Sequence, residues 1–532
     1  MPTYIQAELT LALDHVPTLY VLRIDGTERI GELYDFRVRF VTVAPTTVDF
    51  ADAIGATATL EIARAGDVSI DMVEVRTIRG IVTEIEDSLD GTGPTRVYTA
   101  RIRPPVAILE QISGQEVFVG ASLPEVIRGK LTQGALGLAF ELRLQEPLAY
   151  IDETSGTDWT DAPATGQPAE KRLVAQYKET DLAFVMRLAE HTGLSMFFEE
   201  NEAGDQVVFT DNNSGFTEAA SRVHYRSGGG THGILTLSKK TQWVPTTVMT
   251  CDFNYRNPTQ TLSGSEGLVF DTLGAREDLP EPWPGLVVEY APNAKNAKEA
   301  EHIAKVRAEE LRTRATRLVG TAETPSLAPG LRFKIASHPS ISDQDEHVVF
   351  EVKHVYEAPP SALATRTGVD GRSPQYSVDF EAVPLRTGAD AFQVRPRLKT
   401  PRPRIHGILT AIVVAPQPDG SAERQHLDSV GRYLIKLHFA QGEVPMMPRV
   451  RMAQAHVGPG YGMHFPLRPG TEVLVAFLDG DPDRPVIVGA VSNATNPSPV
   501  VATTQSDEPV EPNRILTRSG ILIELSDGDP PS

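Results

Sequence analysis

At 532 residues, 40% of them hydrophobic and 23% charged, the chain has a globular composition and room for roughly two to four domains. It has no run of about 18 apolar residues to span a membrane, and its first residues carry neither a basic stretch nor an apolar core, so no secretory signal peptide is expected. The single cysteine, Cys251, excludes an intrachain disulfide and reads as a small buried hydrophobe, while the net charge of −20 argues against binding nucleic acid or anionic membranes.

Residues 11–40 read as strand, turn, strand. Tyr20, Leu22 and Ile24 alternate with Val21 and Arg23, Asp25-Gly26 supplies the turn, and Phe36, Val38 and Phe40 alternate with Asp35, Arg37 and Arg39. Further strands are predicted at 57–63, 79–85 and 97–103, a spacing that suggests a twisted, barrel-like sheet. Ser122-Leu123-Pro124-Glu125 is a capping-box sequence for a helix reaching about residue 131, with Gly134 past its end. The acidic stretch 146–168, rich in Thr, Gly and Pro, reads as an exposed insertion.

After Gln176-Tyr177-Lys178-Glu179, Thr180 can cap a helix, Asp181 favours the positive end of its dipole and Gly193 can end it. Beyond its first turn only Arg187, Glu190 and His191 are strongly polar, so this helix should be buried on most sides. A hairpin follows over 194–199 and 206–210, and 257–284, rich in Pro and Gly, reads as a long surface loop. Over 295–318 the residues Ala300, Ala304, Ala308, Leu311, Ala315 and Leu318 step by three or four, which predicts the longest helix, with one narrow apolar seam among charged faces. The segment 395–404 holds five cations, no acid and several prolines; it could bind nucleic acid, but pairing with acidic surface of its own or a neighbouring chain accounts for it better.

The stretch 458–491 is the most informative. Val473, Val475 and Phe477 fall on one face of a strand and Leu474, Ala476 and Leu478 on the other, so both faces should be covered, as in a small barrel. Asp479-Gly480-Asp481-Pro482-Asp483 then forms a turn back into a strand over 486–491. Five barrel strands are predicted near 405–414, 432–439, 446–454, 471–478 and 486–491, followed by a further β-segment over 514–525.

The run from Arg468 to Val475, followed by Phe477-Leu478-Asp479-Gly480-Asp481-Pro482-Asp483-Arg484-Pro485, closely resembles the oligonucleotide/oligosaccharide-binding (OB) module of VgrG-type spike proteins. Those are the tips of type VI secretion systems and related contractile injection machines, kin to phage tail hubs. Residues 176–211 are similar to the hub domain of the same family. The resemblance implies a mainly β fold with a few helices (α+β): a tail-hub-like domain with two β-barrel-like subdomains at 1–390, a basic Pro-rich linker at 391–404, an OB module at 405–495, and a linker with the start of a β-helical needle at 496–532.

It also implies a homotrimer that caps an inner tube, meets baseplate proteins, and carries effectors or a PAAR-like tip protein, with no cofactor. The assembly would be cytoplasmic before firing and would touch a target membrane only transiently, as it punctures it. Gly470, Glu472, Gly480, Asp481, Pro482, Asp483, Arg484 and Gly489 would fix the geometry of the OB turn and strands. One departure is Leu437-His438-Phe439-Ala440-Gln441, where type VI members commonly end in a Phe-His-Trp-Asp type sequence. Either the needle is very short or the chain is the front of a longer one. An extracellular injection particle or phage-like tail is the nearest alternative; a cell-wall hydrolase and a carbohydrate-binding OB protein are the others.

Little chemistry competes with this reading. No His-Glu-x-x-His, Walker, Gly-x-Ser-x-Gly or paired-cysteine motif occurs. His347 and His354 are an odd number of residues apart on a predicted strand and should face opposite ways. His456 and His464 flank a Gly-rich loop, a weak metal signal, and Ser227 merely precedes three glycines. Asp479, Asp481 and Asp483 could hold calcium, but turn formation with Arg484 pairing explains them better. Between Val491 and Arg514 there is no room for a lysozyme-like domain of roughly a hundred residues or more, so no enzyme is expected.

Overall fold

A computed structural model describes residues 4–13, 19–43, 47–65, 74–89, 95–134, 136–145, 173–201, 204–220, 222–225, 233–255, 258–259, 261–267, 285–358, 374–388, 391–415, 427–428, 431–440, 448–498 and 513–525. The expected insertion at 146–168 and Ser227 lie outside them. The chain forms two compact units, one of Met1–Ser113, Ala121–Pro163 and Thr180–Pro401, the other of Gly114–Gly120, Ala164–Glu179 and Arg402–Ser532.

The first unit is built on a 13-stranded sheet. Its main path runs Tyr4–Leu11, Thr57–Ala65, Glu74–Ser88, Thr95–Arg103, Asp35–Val43, Tyr20–Arg29, Glu346–Glu357, Gln375–Pro384, Thr316–Ala322 and Ile234–Thr241. The strands of residues 4–103 and those of residues 234–384 are thus continuous, joined where Tyr20–Arg29 pairs antiparallel with Glu346–Glu357. Asp25-Gly26 is not a turn: both residues lie inside Tyr20–Arg29. Glycine is needed there for room, since a Cβ at position 26 would sit 2.3 Å from the Phe36 ring.

The helix Leu123–Thr132 has its capping box, with the Ser122 hydroxyl accepting from the Glu125 N–H and the Glu125 carboxylate accepting from the Ser122 N–H at 2.7 Å. In Asp181–Thr192, Thr180 Oγ1 accepts from the Ala183 N–H at 3.2 Å and Gly193 takes φ 86°. Most of this helix is buried, Asp181, Arg187 and Glu190 included, while His191 is half-buried. Asp181 meets Lys130 Nζ at 2.9 Å, and Arg187 lies over the Phe184 ring. The hairpin Ser195–Asn201/Gly204–Thr210 forms as predicted and gains a parallel strand, Phe140–Arg143.

The long helix is Ala297–Ala315, shorter than predicted, because Thr316–Ala322 is a strand whose alternate residues are buried. Its buried surface is also wider than a seam. Glu299, Arg307, Glu309 and Glu310 are buried beside the alanines, with Arg307 Nε 3.0 Å from Glu289 and Glu309 2.9 Å from Arg395 Nε. The predicted loop at 257–284 contains a strand, Leu262–Gly267; residues 268–284 lie outside the described ones. Leu262–Gly267 pairs with Thr247–Asp252, which pairs in parallel with Leu286–Tyr290. Cys251 sits in this sheet half-buried rather than buried.

His347 and His354 share the strand Glu346–Glu357, but a bulge between Val349 and Glu351 breaks simple alternation, and both are buried. Their surroundings differ: His347 faces Phe333, whereas His354 bonds Glu28 and Tyr376.

The second unit holds a closed five-stranded barrel in the order Leu409–Val413, Arg432–Leu437, Arg449–Met452, Pro485–Ala490 and Glu472–Phe477. Each strand is shorter than or equal to its predicted span, except that the last begins one residue earlier, at Pro485. A two-stranded pair, Val117–Val119 with Leu173–Ala175, belongs to the same unit. So does the hairpin Asn513–Leu516/Leu522–Leu525.

Candidate functional site

The barrel interior is filled by alternate residues of its strands: Ala411, Val413, Tyr433, Ile435, Leu437, Val450, Val473, Val475, Phe477 and Ile487 are all buried. Only one face of Glu472–Phe477 is fully covered. Leu474 and Ala476 are half-buried and Leu478 is exposed, which corrects the expectation of two covered faces. The outer row of a closed barrel can remain partly wet because closure leaves no open edge to protect.

The turn after Phe477 is a short 3-10 segment, Leu478–Gly480. Gly480 takes φ 69° and Asp479 φ 53°, so two successive left-handed residues reverse the chain; Asp tolerates this region better than most side chains. Main-chain bonds close it. The Leu478 N–H donates to the Arg484 carbonyl at 3.0 Å, and the Arg484 N–H donates to the Asp481 carbonyl at 2.9 Å. Asp481 is 3% exposed; one carboxylate oxygen accepts from the Asp483 N–H at 3.0 Å and the other from Arg402 Nη1 at 2.9 Å. Pro482 is buried beside it.

The cations found on Asp479 and Asp481 come from the basic segment. Arg404 meets Asp479 Oδ2 at 2.6 Å, Arg402 meets Asp481, and the Gly480 carbonyl accepts from the Ile405 N–H at 2.8 Å. Arg484 contributes its main chain to the turn, and Arg402 and Arg404 pair with Asp481 and Asp479. In the first unit the same segment is bound from its other end. Arg395 pairs with Glu309, Lys399 pairs with Glu32, and the Lys399 and Thr400 N–H groups donate to Glu190 at 2.9 and 2.8 Å. The segment 395–404 meets the acidic surface of its own chain, as its charge implied.

Gly470 takes φ 88° and donates its N–H to the Val413 carbonyl at 2.8 Å, turning the chain into Glu472–Phe477. Glu472 Oε2 accepts from Asn493 Nδ2 at 2.9 Å. Gly489 pairs with Leu474 next to a bulge in the ladder. The structure thus brings Gly480, Asp481, Pro482, Asp483 and Arg484 together at the turn, whereas Gly470, Glu472 and Gly489 serve the strand ends.

Among the described residues no three His, Cys, Asp or Glu side chains are grouped to hold a metal. His464 stacks on Tyr433 and meets Gln454 at 3.2 Å, while His456 lies against Tyr461.

A family model described as the phage tail baseplate hub (GPD) matches residues 27–360. The chain belongs to the phage tail baseplate hub family. A second family model, the type VI secretion system/phage-baseplate injector OB domain, matches residues 425–491 of this hub protein.

The type VI secretion system spike protein VgrG4b of Pseudomonas aeruginosa is 27% identical over 511 residues, covering 93% of this chain and 57% of the relative. The spike protein VgrG3 of Vibrio cholerae is 26% identical over 487 residues, covering 89% of this chain and 43% of the relative. The chain spans about half the length of these two relatives.

Among solved structures, an E. coli component of the type VI secretion system, described as similar to the T4 bacteriophage tail proteins gp27 and gp5, superposes with a TM-score of 0.59. It is 19% identical, and the match covers 91% of this chain and 100% of that one. A PdpA–VgrG complex in its lidless form gives a TM-score of 0.60 at 8% identity, covering 99% of this chain and 93% of that one. At these identities the likeness is one of fold.

Proposed function

We propose that the chain is the hub and spike at the tip of a contractile injection machine of the type VI secretion kind. The observation that carries this reading is the union, in one chain, of a baseplate-hub match over 27–360 and a closed barrel overlapping an injector OB match over 425–491. In this reading three copies cap an inner tube, and contraction drives the spike through a target membrane with effectors or a tip protein attached. The role is mechanical, not catalytic. Export is by the machine itself; among the described residues no helix is long and apolar enough to cross a membrane.

The hairpin Asn513–Leu516/Leu522–Leu525 supports association. Ile515, Leu516, Ile521, Leu522, Ile523 and Leu525 are all exposed, and a two-stranded hairpin bearing that much apolar surface is stable only when something covers it.

Light scattering on the purified protein tests the reading. A mass near three times the chain mass of 57.9 kDa is expected, and a monomer both alone and with the tube protein would overturn the trimeric spike.

A further inference from the structure

The two-stranded pair Val117–Val119/Leu173–Ala175 comes from the middle of the hub sequence, yet its side chains belong to the barrel's core. Val117 and Ala175 are buried in one cluster with Ile405, Tyr433, Leu437, Val473 and Phe477, and Val119, Leu173 and Tyr177 pack against it. The Tyr177 ring meets Phe439 edge to face with centroids 5.3 Å apart. Phe439 lies in the very segment whose sequence departs from the usual type VI ending.

One polar contact fixes this pair to the Gly-Asp-Pro-Asp-Arg-Pro turn: the Ala175 N–H donates to Asp483 Oδ1 at 2.7 Å. The next residue, Gln176, is fully buried and donates its N–H to the Glu116 carbonyl at 2.8 Å. Asp483 itself is held by its own N–H on Asp481, whose other oxygen is held by Arg402. The turn therefore gathers three separate parts of the chain: the strand 173–175, the basic segment at Arg402, and the barrel.

We propose that residues 173–177 form a strap that completes the barrel, and that Asp483 is the positioning residue that latches it. The barrel's apolar core continues onto the strap, and the latch is a charge-assisted bond to a main-chain N–H, which Asp accepts without needing any particular strap side chain. The mechanical sense of the strap rests on the proposed function. In a spike under thrust, the strap adds its own packing and one latching bond to what holds the barrel module together.

Hydrogen exchange on the full chain tests the latch. Asp483→Ala is expected to speed exchange of residues 173–177 by about tenfold or more, the scale of one lost bond to a charged acceptor. Exchange in Leu409–Val413 and Glu472–Phe477 should stay as it was. Asp483→Asn, which keeps a neutral acceptor, should give an intermediate rise and carries the test alone if the alanine variant does not fold. Asp479→Ala, which removes a carboxylate of the same turn that faces Arg404, should leave 173–177 protected. Unchanged exchange at 173–177 in both Asp483 variants, or equal loosening by Asp479→Ala, would overturn the latch. Neither result depends on trimer formation, so a failed latch and a failed spike assignment are told apart.

Discussion

His347 offers the sharpest test of the hub's packing. It is 3% exposed, its ring faces Phe333 at 5.8 Å, and its Nδ1 is buried with no hydrogen-bond partner among the described residues. Burial pushes its pKa down from 6.5 to about 4, against the pull of nearby Asp345 and Glu346. With a depressed folded pKa, the unfolded chain takes up the proton first on acidification. The stabilisation is therefore present above pH 6.5 and lost as pH falls towards 4. A displacement of this size corresponds to about 3 kcal/mol. Asp205 works in the opposite sense: burial raises its pKa from 3.8 to about 6, so its contribution is present below pH 3.8 and lost as pH rises through 6. In the native protein the two nearly cancel between pH 6.5 and 4. His347→Phe keeps the ring volume and removes one of them. Urea melts from pH 7 to pH 4 should show the variant gaining stability on acidification, ending about 3 kcal/mol above the native protein at pH 4 once matched at pH 7. Identical pH slopes for the two proteins would refute the reasoning.

Glu28→Gln should cost about 3 to 5 kcal/mol at pH 7, because it leaves the Arg76 guanidinium, now 2.6 Å from Glu28, buried without its counter-charge; a urea midpoint close to native would contradict this. Gly264→Ala places a Cβ 2.3 Å from the Ala300 backbone and should cost about 1 to 3 kcal/mol, read as a lowered Tm. Ser122→Ala removes the capping hydroxyl of Leu123–Thr132 and should cost about 1 kcal/mol by the same measurement.

What could be read from sequence was local. The caps at Ser122 and Thr180, the stop at Gly193 and the turn at Gly480 each depend on residues within one helical turn or one reversal, and all are present. The charge of 395–404 against an acidic chain was legible in the same way. Where a signal had two physical causes, the reading went wrong. Gly26 looked like a turn glycine and is a packing glycine, and Ala315 and Leu318 fit a helical step although Thr316 already begins a strand. Contacts between distant parts were invisible: nothing near Ala175 says that its N–H meets a carboxylate 308 positions away, or that Tyr177 packs on Phe439. The left-handed Asp479 was also missed, though an Asp-Gly pair between two apolar strands is the signal that could have shown it.

The same distinction explains why so much charge is buried in the hub sheet. Its two groups of strands meet at one antiparallel ladder, and an apolar ladder alone specifies register weakly if both faces are similar. Here Glu28 on Tyr20–Arg29 accepts from Arg76 on Glu74–Ser88 and bonds His354 Nε2 on Glu346–Glu357 at 2.9 Å; His354 Nδ1 in turn bonds the Tyr376 hydroxyl on Gln375–Pro384 at 2.7 Å. Four strands converge on one carboxylate whose pKa, despite burial, is held down to about 2 by Arg76 and His354. A slip of one residue would turn Glu28 to the opposite face and strand Arg76 and His354 without it. The network's net worth in stability need not be large for it to exclude that alternative, since the misregistered state carries the full cost of the unpaired charges. Charge buried at the junction thus does for the hub what the carboxylates of the Gly-Asp-Pro-Asp-Arg-Pro turn do for the barrel: it makes one pairing of distant segments the only affordable one.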